Sequence, residues 1–266
     1  MKSKETLIIK NFGPIVDARI EIKPFMVFIG ESGSGKSVIL KLLSLFRWIY
    51  KKIALRDIAK NANVKAELYR FRIDRMLRES SLDDFCIKGS QAHYHIGDSY
   101  VSITCNGRPS LKISTQIANK ITLEKISFIA DDRFAIPMLV NNQIRGGAIP
   151  YHLEKTFEDF LESFRHLQTN KSVKTKIFDI ELSLEKYSIE NRFFINLKDS
   201  KTQLHNVSSG MKSVSIIELI STYFTTDNEY MQNKYTEFIV NLFTKSKHQD
   251  INSFLQNLRN VKLNKQ

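Results

Sequence analysis

Cysteine is scarce in this chain of 266 residues. Its two cysteines, Cys86 and Cys105, are too few for a disulfide framework, so we predict reduced thiols and a cytoplasmic setting. Neither they nor His93 and His95 have the paired spacing of a zinc site, and we interpret both histidines as ordinary strand residues. The N-terminus also lacks the apolar stretch of a secretory signal peptide. These absences argue against a disulfide-stapled scaffold and against a zinc-bound domain.

Long apolar runs and internal repeats are missing as well. The longest apolar helix candidate, Val38 to Tyr50, is interrupted by Lys41 and Arg47, so we predict no membrane span. Heptads are not sustained over several turns, which argues against a long coiled-coil arm. Hydrophobic residues nevertheless make up 42 % of the chain, enough for a substantial core in one large domain or two small ones.

Positive charge is abundant and unevenly placed. The formal net charge is +12, and residues 47–78 hold ten Lys/Arg against three Asp/Glu. Aromatic residues are interleaved in this basic stretch, namely Trp48, Tyr50, Tyr69 and Phe71. One interpretation is contact with nucleic acid or with a partner protein. The other is a solvated helix face whose aromatic side chains enter the core, and the sequence leaves both open.

Local patterns predict strands alternating with helices, which is typical of an α/β fold. The predicted strands are Glu5–Ile9, Ala18–Ile22, a buried Phe25–Ile29, a β-meander over His93–Ser114, Lys125–Asp132, and strands within Lys176–Leu197. The predicted helices are Lys36–Lys52, a basic Ala54–Leu77, Tyr151–Leu167, and one that follows the turn "VSSGMKS". The third of these has an apolar face formed by Leu153, Phe157, Phe160, Leu161 and Phe164.

The stretch "GESGSGKS" has the pattern Gly-x-x-x-x-Gly-Lys-Ser, placed between an apolar strand candidate and a helix. Glycines in such a loop let backbone N–H groups point at phosphate oxygens, and the helix N-terminus adds the positive end of its dipole. Lys36 would reach the β and γ phosphates, and the Ser37 hydroxyl would hold Mg²⁺. The predicted nucleotide-binding residues are Gly30, Glu31, Ser32, Gly33, Ser34, Gly35, Lys36 and Ser37.

A second motif, "SSGMKS", opens another helix about 170 residues after the loop. Together with the opening "IKNFGPIVDARIEIKPFMVFIG", these motifs resemble the ABC class of ATPases, in particular the RecF/SMC-like soluble ATPases and their bacterial anti-phage defence relatives of the Septu and retron-associated kinds. Ser209 and Gly210 match the core of that family's signature, and Met211 and Lys212 fit its defence-type form. "FIADDRF" is similar to a segment found in the middle of these domains, and the resemblance covers most of residues 1–224.

The resemblance implies a P-loop NTPase fold of the ABC-ATPase type, with a mixed sheet core, an antiparallel β subdomain and a helical insertion. Its single domain would comprise a P-loop core (1–53 and 115–135), a basic helical and β-meander insertion (54–114), a helical signature lobe (151–224) and C-terminal helices (225–266). It also implies a homodimer or higher oligomer in which two subunits pack head to tail. Each ATP would lie between one subunit's loop and the other's signature. The residues implied to contact ATP in the partner's site are Ser208, Ser209, Gly210 and Lys212.

One part of the family's machinery is not recognisable. An apolar strand ending in acids, which positions Mg²⁺ and activates water in the family, is missing after the signature, and so is the later strand with its His. We therefore expect segments near 225–250 to be absent from this chain, and we assign no catalytic residue. Asp131 or Asp132 could supply the acid, although they precede the signature, and Arg133 is interpreted as their internal ion-pair partner. We expect an ATPase that binds ATP and hydrolyses it poorly.

Three functional hypotheses follow. The first is an ATP-binding subunit that dimerises around ATP and controls an effector nuclease or toxin, in bacterial anti-phage defence. The second is a RecF-like DNA-repair ATPase that clamps DNA itself, which strong salt-dependent DNA binding would favour. The third is a nucleotide-gated scaffold that retains ATP without releasing phosphate.

Overall fold

The computed structural model describes residues 4–61, 71–114, 126–140, 149–188, 190–197 and 200–226. The chain divides into two units, the first of which runs to Ile126 while the second begins at Ser127. Both units are mixed α/β, and every described strand pairing is antiparallel. The predicted C-terminal helices lie outside the described residues, apart from the end of the last described helix. None of the described helices is long and apolar enough to cross a bilayer.

The first unit contains a five-stranded sheet with the order β2-β1-β3-β4-β5. Its strands are β1 (Glu5–Phe12), β2 (Ile15–Ile22), β3 (Ser90–Ile96), β4 (Ser99–Asn106) and β5 (Arg108–Ile113). The two predicted N-terminal strands and the predicted β-meander are thereby confirmed. Because β1 pairs with β3, the meander belongs to the same sheet as the N-terminal hairpin.

One face of this sheet is apolar because side chains alternate along each strand. Leu7 lies opposite Tyr94, which in turn lies opposite Val101, and all three are buried. Helix α1 (Lys36–Asn61) packs on this face, where Phe46 stacks on the ring of Tyr94 at 5.7 Å between centroids. The predicted helix over Lys36–Lys52 is confirmed.

The predicted separate helix over Ala54–Leu77 is wrong in its bounds. Helix α1 continues without a break to Asn61, and a short α2 covers Ile73–Glu79. No Gly or Pro interrupts the chain between Lys52 and Asn61, so the backbone has no local reason to end the helix there.

A polar link also holds α1 to the sheet. The Arg47 guanidinium donates from Nη2 to Glu5 Oε2 at 3.0 Å, and the Tyr94 hydroxyl donates to the same carboxylate. Burial, followed by the hydrogen bond to Glu5, raises the pKa of Tyr94, so this hydroxyl stays protonated and remains a donor. One carboxylate on β1 thus connects α1 with β3.

The prediction of two reduced cysteines is wrong for this structure, because Cys86 and Cys105 form a disulfide with their Cα atoms 5.5 Å apart. The antiparallel pairing of β3 with β4 sets Ser90 opposite Cys105, and the Gly89 N–H donates to the Cys105 carbonyl at 2.8 Å. The chain therefore folds back on itself and carries Cys86 to its partner. Counting cysteines could not reveal this approach.

The second unit contains a four-stranded sheet with the order β6-β7-β8-β9. Its strands are β6 (Ser172–Lys174), β7 (Glu181–Tyr187), β8 (Glu190–Asn196) and β9 (Lys201–Gln203), and its helices are α3 (Ile136–Val140), α4 (Tyr151–Leu167) and α5 (Ser209–Thr226). Helix α4 has its predicted bounds, and Phe160 and Phe164 of its apolar face pack on the Phe193 ring of β8. The predicted helix after "VSSGMKS" is confirmed as α5.

Two predicted strands are wrong. Residues 25–29 have no regular structure, and Phe25 is 84 % exposed while Ile29 is 92 % exposed. The described part of the second, residues 126–132, is also irregular. Among the described residues neither segment has a strand to pair with, so neither forms the ladder of backbone hydrogen bonds that a strand requires. An apolar run alone cannot reveal whether a partner strand exists.

The strand prediction within Lys176–Leu197 is right for β7 and β8 but wrong for residues 176–180. There the backbone forms a loop in which the Thr175 N–H donates to the Ile180 carbonyl at 2.8 Å. The Glu218 carboxylate of α5 accepts hydrogen bonds from the N–H groups of Lys176 and Ile177, the latter at 3.2 Å. These bonds replace the ladder bonds that a strand would make.

Candidate nucleotide-binding and signature residues

The loop of residues 30–35 is held by close packing at one glycine and is open at another. Gly35 is buried with φ of 95°, and a Cβ built there would lie 2.7 Å from Ile15 Cγ1. Gly33 has φ of 80°, yet its Cβ would meet nothing within 4 Å. Both backbone conformations favour glycine. The loop is thus fixed against the β1-β2 hairpin at Gly35 and leaves open space at Gly33.

Lys36 is the first residue of α1, and its side chain folds back over the loop. Its ammonium donates to the carbonyl of Gly30 at 2.8 Å and to that of Glu31 at 2.5 Å, and it lies 3.3 Å from Ser34 Oγ. The first turn of α1 carries no acidic side chain. The positive end of the helix dipole and the Lys36 charge are therefore concentrated at the same loop.

The exposed residues of this part of the chain include one hydroxyl that could serve as a magnesium ligand. Ser37 follows Lys36 in the first turn of α1 and is exposed, as is Gly33. Groups of three or more His, Cys, Asp or Glu placed to hold a metal are not found in the described part of the chain. Mg²⁺ commonly takes few protein ligands and completes its shell with phosphate oxygens and water, so a single hydroxyl such as that of Ser37 is a suitable contribution.

The signature residues divide into a cap and an exposed pair. Ser208 precedes α5, and its Oγ accepts a hydrogen bond from the Met211 N–H at 3.3 Å, while its carbonyl accepts one from the Lys212 N–H at 3.0 Å. Ser209 and Gly210 form the first exposed positions of the helix, and a Cβ on Gly210 would meet nothing within 4 Å. Ser208 therefore caps the helix, and Ser209 and Gly210 are accessible to a ligand.

The charges of Arg192 and Lys212 both act on His205, which lies shortly before α5. Partial burial, then the charges of Arg192 and Lys212, lower the pKa of His205, so this imidazole is less readily protonated than a free one. The Arg192 guanidinium lies over the Tyr187 ring at 4.6 Å from its centroid and donates to Gln203 at 3.3 Å. At the signature itself, Lys212 adds positive charge to that of the helix dipole, and both favour an anion.

In the part of the chain that the structure describes, the recorded contacts of Arg133 are with groups other than the two aspartates predicted as its ion-pair partners. Its Nε donates to Ser213 Oγ at 2.7 Å, and its Nη1 donates to the Ala130 carbonyl at 3.1 Å. The "FIADDRF" segment and the "SSGMKS" signature, which the sequence presented as two separate motifs, are therefore joined by this side chain. The sequence shows no signal for this contact, because the two residues are 80 positions apart.

The described side chains of the basic stretch 47–78 are largely engaged within the first unit. Lys52 lies over the Trp48 ring at 3.7 Å, and Arg56 lies over the Phe71 ring at 5.5 Å. Trp48 and Phe71 pack against the core, and Arg75 pairs with Glu79. These contacts favour the interpretation of a solvated helix face with core aromatics over that of a nucleic-acid surface. Tyr69 lies outside the described residues.

Comparisons with protein-family models and with curated proteins give no match to this chain. Similarity therefore does not show a family. The functional assignment depends on two local arrangements, the loop with Lys36 folded over it and the exposed turn at Ser209 and Gly210.

Proposed function

We propose that this chain binds ATP with Mg²⁺ in the loop of residues 30–37 and dimerises head to tail around the bound nucleotide. The observation that carries the proposal is the glycine loop leading into the N-terminus of α1, with the Lys36 ammonium folded over it at 2.8 Å from the Gly30 carbonyl. This arrangement places the first N–H groups of α1 beside the Lys36 ammonium. A triphosphate is the common ligand of such a loop.

Each loop residue has a distinct task in this proposal. Lys36 exchanges its hydrogen bonds to two loop carbonyls for charge-assisted ones to phosphate oxygens. The open space at Gly33 lets the backbone approach a phosphate closely. The Ser37 hydroxyl contributes a ligand to Mg²⁺, which when bound neutralises charge on the β and γ oxygens.

The signature completes the site from a second copy of the chain. Ser209 and Gly210 present a hydroxyl and helix N–H groups, and Lys212 adds positive charge, all of which favour the γ-phosphate. A symmetric head-to-tail dimer holds two such sites, because each copy supplies one loop and one signature.

The family resemblance extends this proposal to an effector. ATP shifts the equilibrium between monomer and dimer, because it binds the dimer more tightly. We propose that this shift controls an associated nuclease or toxin in bacterial anti-phage defence. A DNA clamp is less well supported, because the described basic side chains of residues 47–78 contact aromatic rings and carboxylates of their own unit.

The loop is tested by calorimetric titration of the purified chain with ATP and Mg²⁺. We expect Lys36→Ala to weaken ATP binding by at least about tenfold, because the charge-assisted bonds are lost. Lys41→Ala, which removes a charge further along α1, should leave the affinity unchanged. Failure of the unmodified chain to bind ATP would refute the proposed function, and phosphate release measured in parallel reports whether bound ATP is hydrolysed.

The signature is tested by sedimentation velocity with and without ATP. Ser209→Arg should abolish ATP-dependent dimerisation by filling the exposed turn, while calorimetry still detects ATP binding to the single subunit. Ser221→Arg places the same side chain at an exposed position near the other end of α5 and serves as the control. Dimerisation that survives Ser209→Arg would overturn the signature assignment.

A further inference from the structure

Arg133 connects the segment before it to the first turns of α5. Its Nε donates to Ser213 Oγ at 2.7 Å and its Nη1 donates to the Ala130 carbonyl at 3.1 Å. Ser213 lies four residues after Ser209, so the two side chains are neighbours on one face of the helix. Because the guanidinium is planar and its donors are fixed in direction, two simultaneous bonds set both the distance and the orientation of what it holds.

The other end of this connection is firmly anchored. Ala130 is 2 % exposed, and its N–H donates to Thr156 Oγ1 of α4 at 2.9 Å. The same buried hydroxyl lies 3.1 Å from the Phe128 carbonyl, and the Ser127 hydroxyl donates to Asp159 of α4 at 2.6 Å. These hydrogen bonds fix the segment of residues 127–130 to α4. Arg133 in turn connects this segment to α5.

The orientation of the first turn of a helix depends on contacts from outside the helix. The N–H groups of this turn have no intrahelical acceptors, so fewer hydrogen bonds hold it than hold the later turns. Ser208 caps one N–H group, that of Met211. The direction in which Ser209 and Gly210 face a ligand therefore depends on contacts from outside the helix.

We propose that Arg133 is a positioning residue that sets the orientation of the signature turn through Ser213. This inference rests on the proposed function, since it assigns Arg133 to the same ATP-dependent dimer contact. Arg133 does not touch the nucleotide in this proposal. It holds Ser209 and Gly210 where the γ-phosphate bound by a second copy can reach them.

The first test needs no nucleotide. Hydrogen exchange of the purified chain should show faster exchange at residues 211–213, the first positions whose N–H groups are bonded, in Arg133→Gln and in Ser213→Ala than in the unsubstituted chain. Arg165→Gln, which replaces an exposed arginine on α4, should leave this exchange unchanged. Exchange at residues 211–213 that Arg133→Gln does not alter would overturn the proposal, whatever the chain does with ATP.

The second test measures ATP-dependent dimerisation and ATP affinity together. Arg133→Gln and Ser213→Ala should each weaken the dimer by about tenfold, the loss of one charge-assisted hydrogen bond, and the double variant should be no weaker than Arg133→Gln. Arg133→Lys keeps the charge but cannot hold both acceptors, so it should weaken the dimer similarly. ATP affinity of the single subunit should stay unchanged in all of them.

Two outcomes of the second test would overturn the proposal. One is additive losses in the double variant, which would mean that Arg133 and Ser213 act independently. The other is a lowered melting temperature with unaltered dimerisation of the folded fraction, which would indicate a merely structural role. Failure of the unsubstituted chain to dimerise with ATP refutes the proposed function instead, and the exchange measurement still decides whether Arg133 positions the turn.

Discussion

At the scale of single residues, two glycines with similar backbone angles face different surroundings. A side chain at either Gly33 or Gly35 would strain the backbone, but only at Gly35 would its Cβ overlap a neighbour, Ile15. We expect Gly33→Ala to lower the free energy of unfolding by about 1 kcal/mol and Gly35→Ala by about 2–4 kcal/mol, since overpacking adds to strain. Urea unfolding without nucleotide measures both, and equal losses would contradict the packing argument.

Lys51 differs from an ordinary surface lysine because burial lowers its pKa to about 8. Between this value and the usual pKa near 10.5, the unfolded chain binds more protons than the folded one, so this group makes stability rise with pH in that window. Below pH 8 both states are charged, and the cost of burying the charge is fully present. Lys51→Met should therefore raise the free energy of unfolding at pH 7 by about 1–3 kcal/mol.

The pH profile separates this effect from a general gain in hydrophobicity. The stabilisation by Lys51→Met should shrink as the pH rises from 8 towards 10.5, because the native lysine then becomes neutral. Lys10→Met removes an exposed charge from β1 and should show no comparable profile. A gain that is constant from pH 7 to pH 10 would contradict the explanation by burial.

At the scale of elements, the Cys86–Cys105 bridge closes a loop between the segment before β3 and the end of β4. The two residues are 19 positions apart, so the bridge removes conformational freedom mainly from the unfolded chain. Replacing both cysteines by serine should lower the free energy of unfolding by about 2–3 kcal/mol in urea titrations. Adding a reductant should reproduce this loss in the native chain and have no effect on the double variant.

The state of the bridge can also be read directly. Alkylation under denaturing, non-reducing conditions followed by mass measurement should find both thiols blocked from reaction. Labelling of both cysteines would show that the reduced state predicted from cysteine count is the one the protein adopts.

The elements that were predicted from local sequence patterns agree best with the structure. Helix α4 was predictable because its apolar face repeats with helical spacing over its whole length, and the strands of the meander because a Gly turn or an Asn-Gly turn separates them. The irregular structure of residues 25–29 was not predictable, because a buried strand requires a partner strand elsewhere in the chain. The glycine loop, the signature turn and a serine cap at that turn could be located from sequence, whereas the contact of Arg133 with Ser213 could not.

At the scale of the whole molecule, each unit has its own hydrophobic cluster. Phe160 is fully buried in the cluster of the second unit, with its ring 5.3 Å from that of Phe193. Phe160→Ala should lower the free energy of unfolding of this unit by about 3–5 kcal/mol and speed hydrogen exchange in β8 and α5. Phe178→Ala, at a position 43 % exposed in the same unit, should cost far less. Similar losses in both variants would contradict the placement of this core.

Features that depend on neighbours a few residues away could be inferred from the sequence, namely the β1-β2 hairpin, the meander, helices α4 and α5, and a glycine loop before α1. Contacts between distant residues, in contrast, are seen only in the folded chain. Glu5 joins Arg47 across 42 positions and Arg133 joins Ser213 across 80. Periodicity and turn chemistry describe the path of the backbone locally and contain no information on such distances, so a bond of this kind becomes visible only when packing brings its two ends together.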